Sequence, residues 1–222
     1  MAFAFLNGLR LSKMRTRPRS RADKSDGHII ISGTGRAGTT LLVQYFTALG
    51  FDTGFSAHDG IAAKDRISHA GLEHVLDRNM PYVSKSPWFS ENIGEWMDRG
   101  DIKLKCCLIP MRNLFAAAES RRRVYRESEL AGLDPLMQPG SIWQTKNPQE
   151  QEARLLEQFY KLAEAMAARG VPVFLLHFPE FSLEPKLAFK ALRPLLEEHG
   201  VTDDDSRAAM LSVVEPSLIH EF

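Results

Sequence analysis

The chain has 222 residues, of which 44% are apolar and 25% charged, a composition typical of one globular domain with a substantial core. Its formal net charge is zero, which argues against nucleic-acid binding through a broadly basic surface. The two cysteines, Cys106 and Cys107, are adjacent in an apolar run. The sequence therefore predicts inert core thiols in a reduced, cytoplasmic setting, and it excludes a structural disulfide framework.

The amino-terminal segment differs from the rest of the chain in charge. Residues 1–27 contain seven basic and two acidic residues, a net charge of +5, so residues 28–222 carry −5. The first nine residues are apolar but too few to span a membrane, and they precede the basic residues, which reverses the order of a secretory signal. We predict a basic arm over 1–27, with a membrane surface or an acidic partner as its candidate contacts, before one α/β domain over 28–222.

A glycine-rich turn follows the first predicted strand. Ile29–Ile31 is β-branched and suits a buried strand, and Gly33, Gly35 and Gly38 supply the turn before a helix with one apolar face. A strand, a glycine turn and a helix start form a phosphate site, because backbone N–H groups and the helix dipole attract the anion. Arg36 adds a positive charge within this loop.

The loop departs from an ordinary nucleotide-binding loop. Gly33 and Gly38 have the Walker A spacing, but Thr39 stands where the lysine that reaches the β- and γ-phosphates should be. The nearest cation lies three residues earlier, at Arg36. This arrangement favours a phosphate ligand other than the γ-phosphate of a nucleoside triphosphate.

Strands and helices alternate along the remaining chain. The alternation predicts a three-layer α/β sandwich around a parallel sheet of about four to five strands. Arg121–Arg123 is predicted to be a solvated helix face. The predicted elements are a weak helix over 71–78, a strand over 81–84, a helix from Ser86 to 99, a buried strand over 103–111, a helix from Asn113, a long loop over 130–148, a helix over 150–169, a buried strand over 172–178, and helices over 185–199 and 203–214.

Three positively charged features fall at the ends of predicted strands. The loop 33–40 with Arg36 follows the first strand, Lys85 ends the second and Arg112 follows the third. Because the carboxyl ends of parallel strands meet at one sheet edge, we expect these cations to converge on one polyanion.

Three short motifs resemble those of the sulfotransferase family. The stretch Gly-Thr-Gly-Arg-Ala-Gly-Thr-Thr-Leu-Leu over 33–42 resembles the family's 5′-phosphosulfate loop, and Val-Ser-Lys-Ser-Pro over 83–87 resembles its Lys-Thr/Ser-Pro segment. Arg112 followed eight residues later by Ser120 matches the spacing of the family's 3′-phosphate motif. Ala37 replaces a common serine and Leu114 a common proline. The resemblance covers about residues 28–125.

The resemblance implies a P-loop NTPase-like fold and a specific cofactor. It implies that 3′-phosphoadenosine 5′-phosphosulfate (PAPS) donates a sulfonate to a hydroxyl or amine of a small-molecule, lipid or carbohydrate acceptor, without a metal, leaving adenosine 3′,5′-bisphosphate. The implied cofactor-binding residues are Gly35, Arg36, Ala37, Gly38, Thr39, Thr40, Arg112 and Ser120. The implied catalytic residues are Lys85 and Arg36, and the family uses a His or Glu as base. From their position in the loop after the first helix, His58 and Asp59 are the first candidates for the base, with His69 and Glu119 as further ones.

Two other functions are compatible with a phosphate-binding loop. A small-molecule P-loop kinase would bind ATP with Mg²⁺, but the missing lysine at Thr39 and the Arg112–Ser120 pair count against it. A binding module without catalysis would keep the loop, but would not need Lys85.

Overall fold

The structure is a computed structural model that describes residues 27–56, 65–77, 79–98, 100 and 102–219. All of the predicted basic arm except Gly27 lies outside these residues. The strands are β1 His28–Ile31, β2 Val83–Lys85, β3 Leu104–Met111 and β4 Val173–His177. The helices are α1 Thr39–Ala48, α2 Phe89–Asp98, α3 Leu114–Leu130, α4 Gln151–Ala168, α5 Glu180–Leu183, α6 Pro185–Glu198 and α7 Asp203–Val213, with short 3₁₀ turns at Pro148–Glu150 and Pro216–Leu218.

The four strands form one parallel sheet in the order β2-β1-β3-β4. The register places Ile31 level with Lys85 on one side and with Leu108 on the other, and Met111 level with His177. The carboxyl ends of all four strands therefore meet at one edge, which confirms the predicted α/β class.

Helices cover both faces of the sheet, since alternate strand residues enter different cores. Ile29, Ile31 and Leu108 pack against α1, α6 and α7, whereas Ile30 and Ile109 pack against α2 and α4. Cys106 and Cys107 divide between the two cores in the same way, and burial raises the pKa of both thiols. The prediction of buried core cysteines is confirmed.

The weak helix predicted over 71–78 is wrong, because residues 71–77 are not helical. Leu72 has a φ of 62°, which a right-handed helix does not accommodate. The His74 backbone N–H donates to the Lys85 carbonyl at 2.8 Å, and the Lys85 N–H donates to Nδ1 of His74 at 2.9 Å. The segment therefore forms hydrogen bonds with the end of β2 and does not form the internal hydrogen bonds of a helix.

Two burial predictions also need correction. β4 was predicted to be a buried strand, but Val173 is 38% and Leu175 54% exposed, because β4 lies at an edge of the sheet. Arg121 and Arg122 were predicted on a solvated helix face, but both are buried, at 6% and 8% exposure. None of the helices in the described ranges is both long and apolar enough to cross a membrane.

Candidate functional site

The glycine loop opens a cavity of about 410 Å³ at the carboxyl edge of the sheet. Gly35, Arg36 and Gly38 have positive φ values of 67°, 56° and 85°, so the chain turns sharply between β1 and α1. Positive φ values cause no steric clash in glycine, whereas they are unusual for arginine. Gly38 precedes α1, whose amino end has no side-chain cap among the described residues. The first N–H groups of α1 are thus available to an anion in the cavity.

Gly38 is also required by packing. A Cβ atom at this position would lie 2.7 Å from Cδ2 of Phe178, which is closer than side-chain carbons approach. Phe178 follows β4 and lines the cavity, and the guanidinium of Arg112 lies over its ring at 5.6 Å from the centroid. The ring of Phe178 therefore packs against Gly38 of the loop and against Arg112 at the end of β3.

Arg36 joins the loop to α3. Its Nε donates to Oγ of Ser120 at 3.0 Å, and its Nη1 donates to the backbone carbonyl of Ser68. Nη1 of Arg112 approaches the Arg36 carbonyl at 3.4 Å. The structure therefore brings together Arg36 and Ser120, which belong to the two predicted cofactor motifs and lie 84 positions apart in the sequence.

The charge around the loop is strongly positive. Burial and the neighbouring Arg123 and Arg112 lower the pKa of Arg36 to about 10, while Asp65 and Glu127 act in the opposite direction. Among the described residues, Arg36 has no carboxylate at ion-pair distance and is held by neutral oxygen atoms. A site of this kind attracts anionic ligands.

Lys85 lies deeper in the same cavity. Its Nζ donates to Oγ1 of Thr40 at 2.9 Å, to the Gly71 carbonyl at 2.6 Å and to Oε1 of Glu73 at 2.8 Å. Burial lowers the Lys85 pKa, and the carboxylate of Glu73 raises it. Because Lys85 is 2% exposed and its three donors are occupied, the ammonium is held in one position between the loop and Glu73.

Glu73 is a carboxylate of the cavity that the sequence did not predict. Its side chain is 25% exposed, lines the cavity and pairs with Lys85. The sequence offers no pattern that would identify it, because it lies twelve residues before Lys85 in a segment that looks weakly helical. Its position depends on the backbone bonds between His74 and Lys85.

Of the four predicted base candidates, the structure describes His69 and Glu119. His58 and Asp59 lie outside the described residues, so the structure does not place them. His69 lines the cavity. Glu119 does not, and it pairs with Arg122 at 3.2 Å and Arg126 at 2.6 Å, which together hold its pKa below the usual range.

Most of the predicted cofactor residues share this cavity. The side chain of Ala37 is fully buried in the core, so a ligand could meet only its backbone. The described residues contain no group of three or more His, Cys, Asp or Glu side chains that could hold a metal ion. The predicted residues that line the cavity are Gly35, Arg36, Gly38, Thr39, Thr40, Lys85, Arg112 and Ser120.

Comparisons with protein-family models, with curated proteins and with solved structures found no match.

Proposed function

We propose that this chain is a sulfotransferase with a P-loop NTPase-like fold, which transfers a sulfonate from PAPS to a hydroxyl or amine of a small-molecule, lipid or carbohydrate acceptor. The observation that carries the proposal is the bond from Nε of Arg36 to Oγ of Ser120 at 3.0 Å. This contact combines the loop and the Arg112–Ser120 motif in one cavity. A ligand with phosphate groups at two separate positions, such as PAPS, would use both motifs.

The two ends of the cofactor would meet different groups. The backbone N–H groups at the start of α1 and the guanidinium of Arg36 would hold the 5′-phosphosulfate. Arg112 and Ser120 would hold the 3′-phosphate. Arg36 contacts Ser120 in the structure, so a bound 3′-phosphate would lie beside an arginine from each motif.

The reaction needs a cation at the transferred group and a base for the acceptor. The acceptor oxygen or nitrogen forms a bond to sulfur as the bond from sulfur to the 5′-phosphate oxygen breaks, and adenosine 3′,5′-bisphosphate leaves with the bonding electrons. Negative charge grows on the leaving oxygen, where Lys85 and the loop N–H groups would stabilise it. Glu73, which lies 2.8 Å from Lys85, would accept the acceptor's proton.

The replacement of the Walker A lysine by Thr39 supports a sulfonate donor over a nucleoside triphosphate. In the structure, Lys85 approaches the start of α1 from the neighbouring strand and bonds to Thr40. Lys85 therefore places a cation near the glycine loop, although it belongs to the neighbouring strand. A small-molecule kinase and a binding module without catalysis remain the alternatives that an assay must separate.

The test is a product assay with purified protein. PAPS is supplied with pools of phenols, aliphatic alcohols, sugars and amines, and the products are examined by mass spectrometry for the mass of one added sulfonate group. We expect a sulfonated product and an equal amount of adenosine 3′,5′-bisphosphate. Phosphorylated products formed from ATP and Mg²⁺, with none from PAPS, would contradict the proposal.

A further inference from the structure

Arg121 on α3 is a buried arginine without an acidic partner among the described residues. Its Nη1 donates to the Ser141 carbonyl at 2.6 Å, and its Nη2 donates to the Thr34 carbonyl at 2.7 Å. Its Nε is buried without a hydrogen-bond partner, and the whole residue is 6% exposed. The guanidinium lies over the ring of Trp143 at 5.4 Å from the centroid. Neutral groups alone therefore hold this charge.

The two carbonyls that Arg121 contacts belong to separate parts of the chain. Thr34 lies in the glycine loop, and Ser141 lies in residues 136–143, which line the cavity. We call residues 136–143 the wall segment. A Cβ atom at Gly35 would lie 2.8 Å from Nη2 of Arg121, so the loop and the guanidinium are in direct contact. Arg121 thus links the loop to the wall segment.

The wall segment also lies against Arg36, the arginine of the glycine loop. A Cβ atom at Gly140 would be 3.1 Å from Nη1 of Arg36 and 3.0 Å from Cβ of Ser68. At its far end, Nε1 of Trp143 donates to Glu91 at the start of α2, at 2.8 Å. Between these contacts, the hydrogen bond from Arg121 to the Ser141 carbonyl connects the segment, through the guanidinium, to the Thr34 carbonyl of the glycine loop.

A buried guanidinium with neutral partners is sensitive to a nearby anion. Burial, together with the positive charge of Arg36, lowers the pKa of Arg121 to about 9. An anion bound at the loop would reduce the repulsion between Arg36 and Arg121, and it would therefore favour the buried position in which Arg121 donates to Thr34 and Ser141. The structure therefore contains a route by which an anion at the loop acts on the wall segment.

We propose that Arg121 is a positioning residue that couples anion binding at the glycine loop to the position of the wall segment. The inference rests on the proposed function only for the identity of the anion, which is the 5′-phosphosulfate of PAPS. Donor binding then fixes the wall of the cavity that the acceptor must enter.

The test is hydrogen exchange of the amides in the wall segment, measured with and without saturating ligand. Adenosine 3′,5′-bisphosphate, ATP and inorganic pyrophosphate are the three probes. In the wild type we expect about a tenfold slowing with the probe that binds, the factor expected for one hydrogen bond to a charged group. Arg121→Met should bind the probe more weakly and, once saturated, show no slowing. Arg121→Lys keeps the positive charge and should recover part of the slowing of hydrogen exchange.

Two further measurements separate coupling from general destabilisation. Arg126→Gln changes an exposed arginine of the same helix that pairs with Glu119, and it should leave the slowing unchanged. In a Trp88→Phe, Trp96→Phe background, the remaining Trp143 reports on the Arg121 stack, and ligand should shift its emission. This measurement keeps the proposal testable if Arg121→Met does not fold.

The outcomes distinguish the coupling from the proposed function. Slowing with ATP but not with adenosine 3′,5′-bisphosphate would support the coupling and contradict the sulfotransferase proposal. Tight binding of adenosine 3′,5′-bisphosphate without any slowing in the wild type would overturn the coupling alone. Binding of none of the three probes would overturn both.

Discussion

Nε of Arg36 donates to Oγ of Ser120 at 3.0 Å, across 84 residues of sequence. Arg36 belongs to the turn after β1, and Ser120 lies in the second turn of α3, after β3. Because β1 and β3 are neighbours in the sheet, their carboxyl ends bring the two residues together. The contact brings two short motifs together at one cavity.

Removing the Ser120 hydroxyl should weaken this site. Ser120→Ala leaves Nε of Arg36 without its acceptor, in a place where Ser120 is 1% exposed. We expect about a tenfold loss of affinity for adenosine 3′,5′-bisphosphate, the size of one hydrogen bond to a charged group. Ser128→Ala is the matched control, because Ser128 is also buried on α3 but donates to the Val124 carbonyl at 2.7 Å. Calorimetry of both variants should show a loss for Ser120→Ala alone.

Substitution of Lys85 should separate turnover from binding. Lys85→Met keeps most of the buried stem and removes the ammonium that contacts Thr40 and Glu73. We expect the rate of sulfonate transfer to fall about 10²- to 10³-fold, since a fixed donor to the developing charge is lost. Affinity for adenosine 3′,5′-bisphosphate should change little. The control is Lys161→Met, which removes an exposed lysine paired with Glu157 outside the cavity. Unchanged turnover in Lys85→Met would remove its catalytic role.

Gly38 should tolerate no side chain. Gly38→Ala adds a Cβ that would lie 2.7 Å from the Phe178 ring, at a φ of 85°. We expect a loss of about 1–3 kcal/mol in the free energy of unfolding from overpacking, beyond the cost of the backbone conformation. Gly200→Ala is the control, because Gly200 has a φ of 67° and no atom within 4 Å of the added Cβ. Urea unfolding should rank Gly38→Ala as the more destabilised variant, and Phe178→Leu should restore part of the difference.

The segment that carries Glu73 should depend on pH through His74. Burial lowers the His74 pKa below its ordinary value of 6.5, and Nδ1 accepts the Lys85 N–H. Below pH 6.5 the unfolded chain therefore takes up a proton that the folded chain does not, so stability falls as the pH falls. His74→Asn offers an acceptor that does not titrate. Urea unfolding should show that the free energy of unfolding falls less for the variant than for the wild type as the pH is lowered from about 7 to about 5, because the histidine titration is absent. Equal decreases in both proteins would contradict this role for His74.

The glycine loop and the Arg112–Ser120 pair could be predicted because each depends on local sequence. Gly33 to Gly38 sets a backbone turn, and the seven residues between Arg112 and Ser120 span a helix start. The convergence of these motifs followed from the parallel sheet, whose strand ends lie together. The structure places these residues along one cavity.

The remaining features depend on contacts between distant segments. Glu73 reaches Lys85 because His74 bonds to the Lys85 backbone, and no local pattern indicates that pairing. Arg121 is buried because the carbonyls of Thr34 and Ser141 surround it, although a basic run on a helix resembles a solvated face. The exposure of Leu175 follows from the edge position of β4, which depends on strand order.

The most direct measurement is a calorimetric comparison of adenosine 3′,5′-bisphosphate with ATP, for the wild type and for Arg112→Ala. The wild type should bind the bisphosphate more tightly, and Arg112→Ala should lose that preference because Arg112 would hold the 3′-phosphate. Arg207→Ala, which changes an exposed arginine on α7, should behave like the wild type. Equal or tighter binding of ATP by the wild type, increasing with Mg²⁺, would contradict the assignment of the cavity to PAPS.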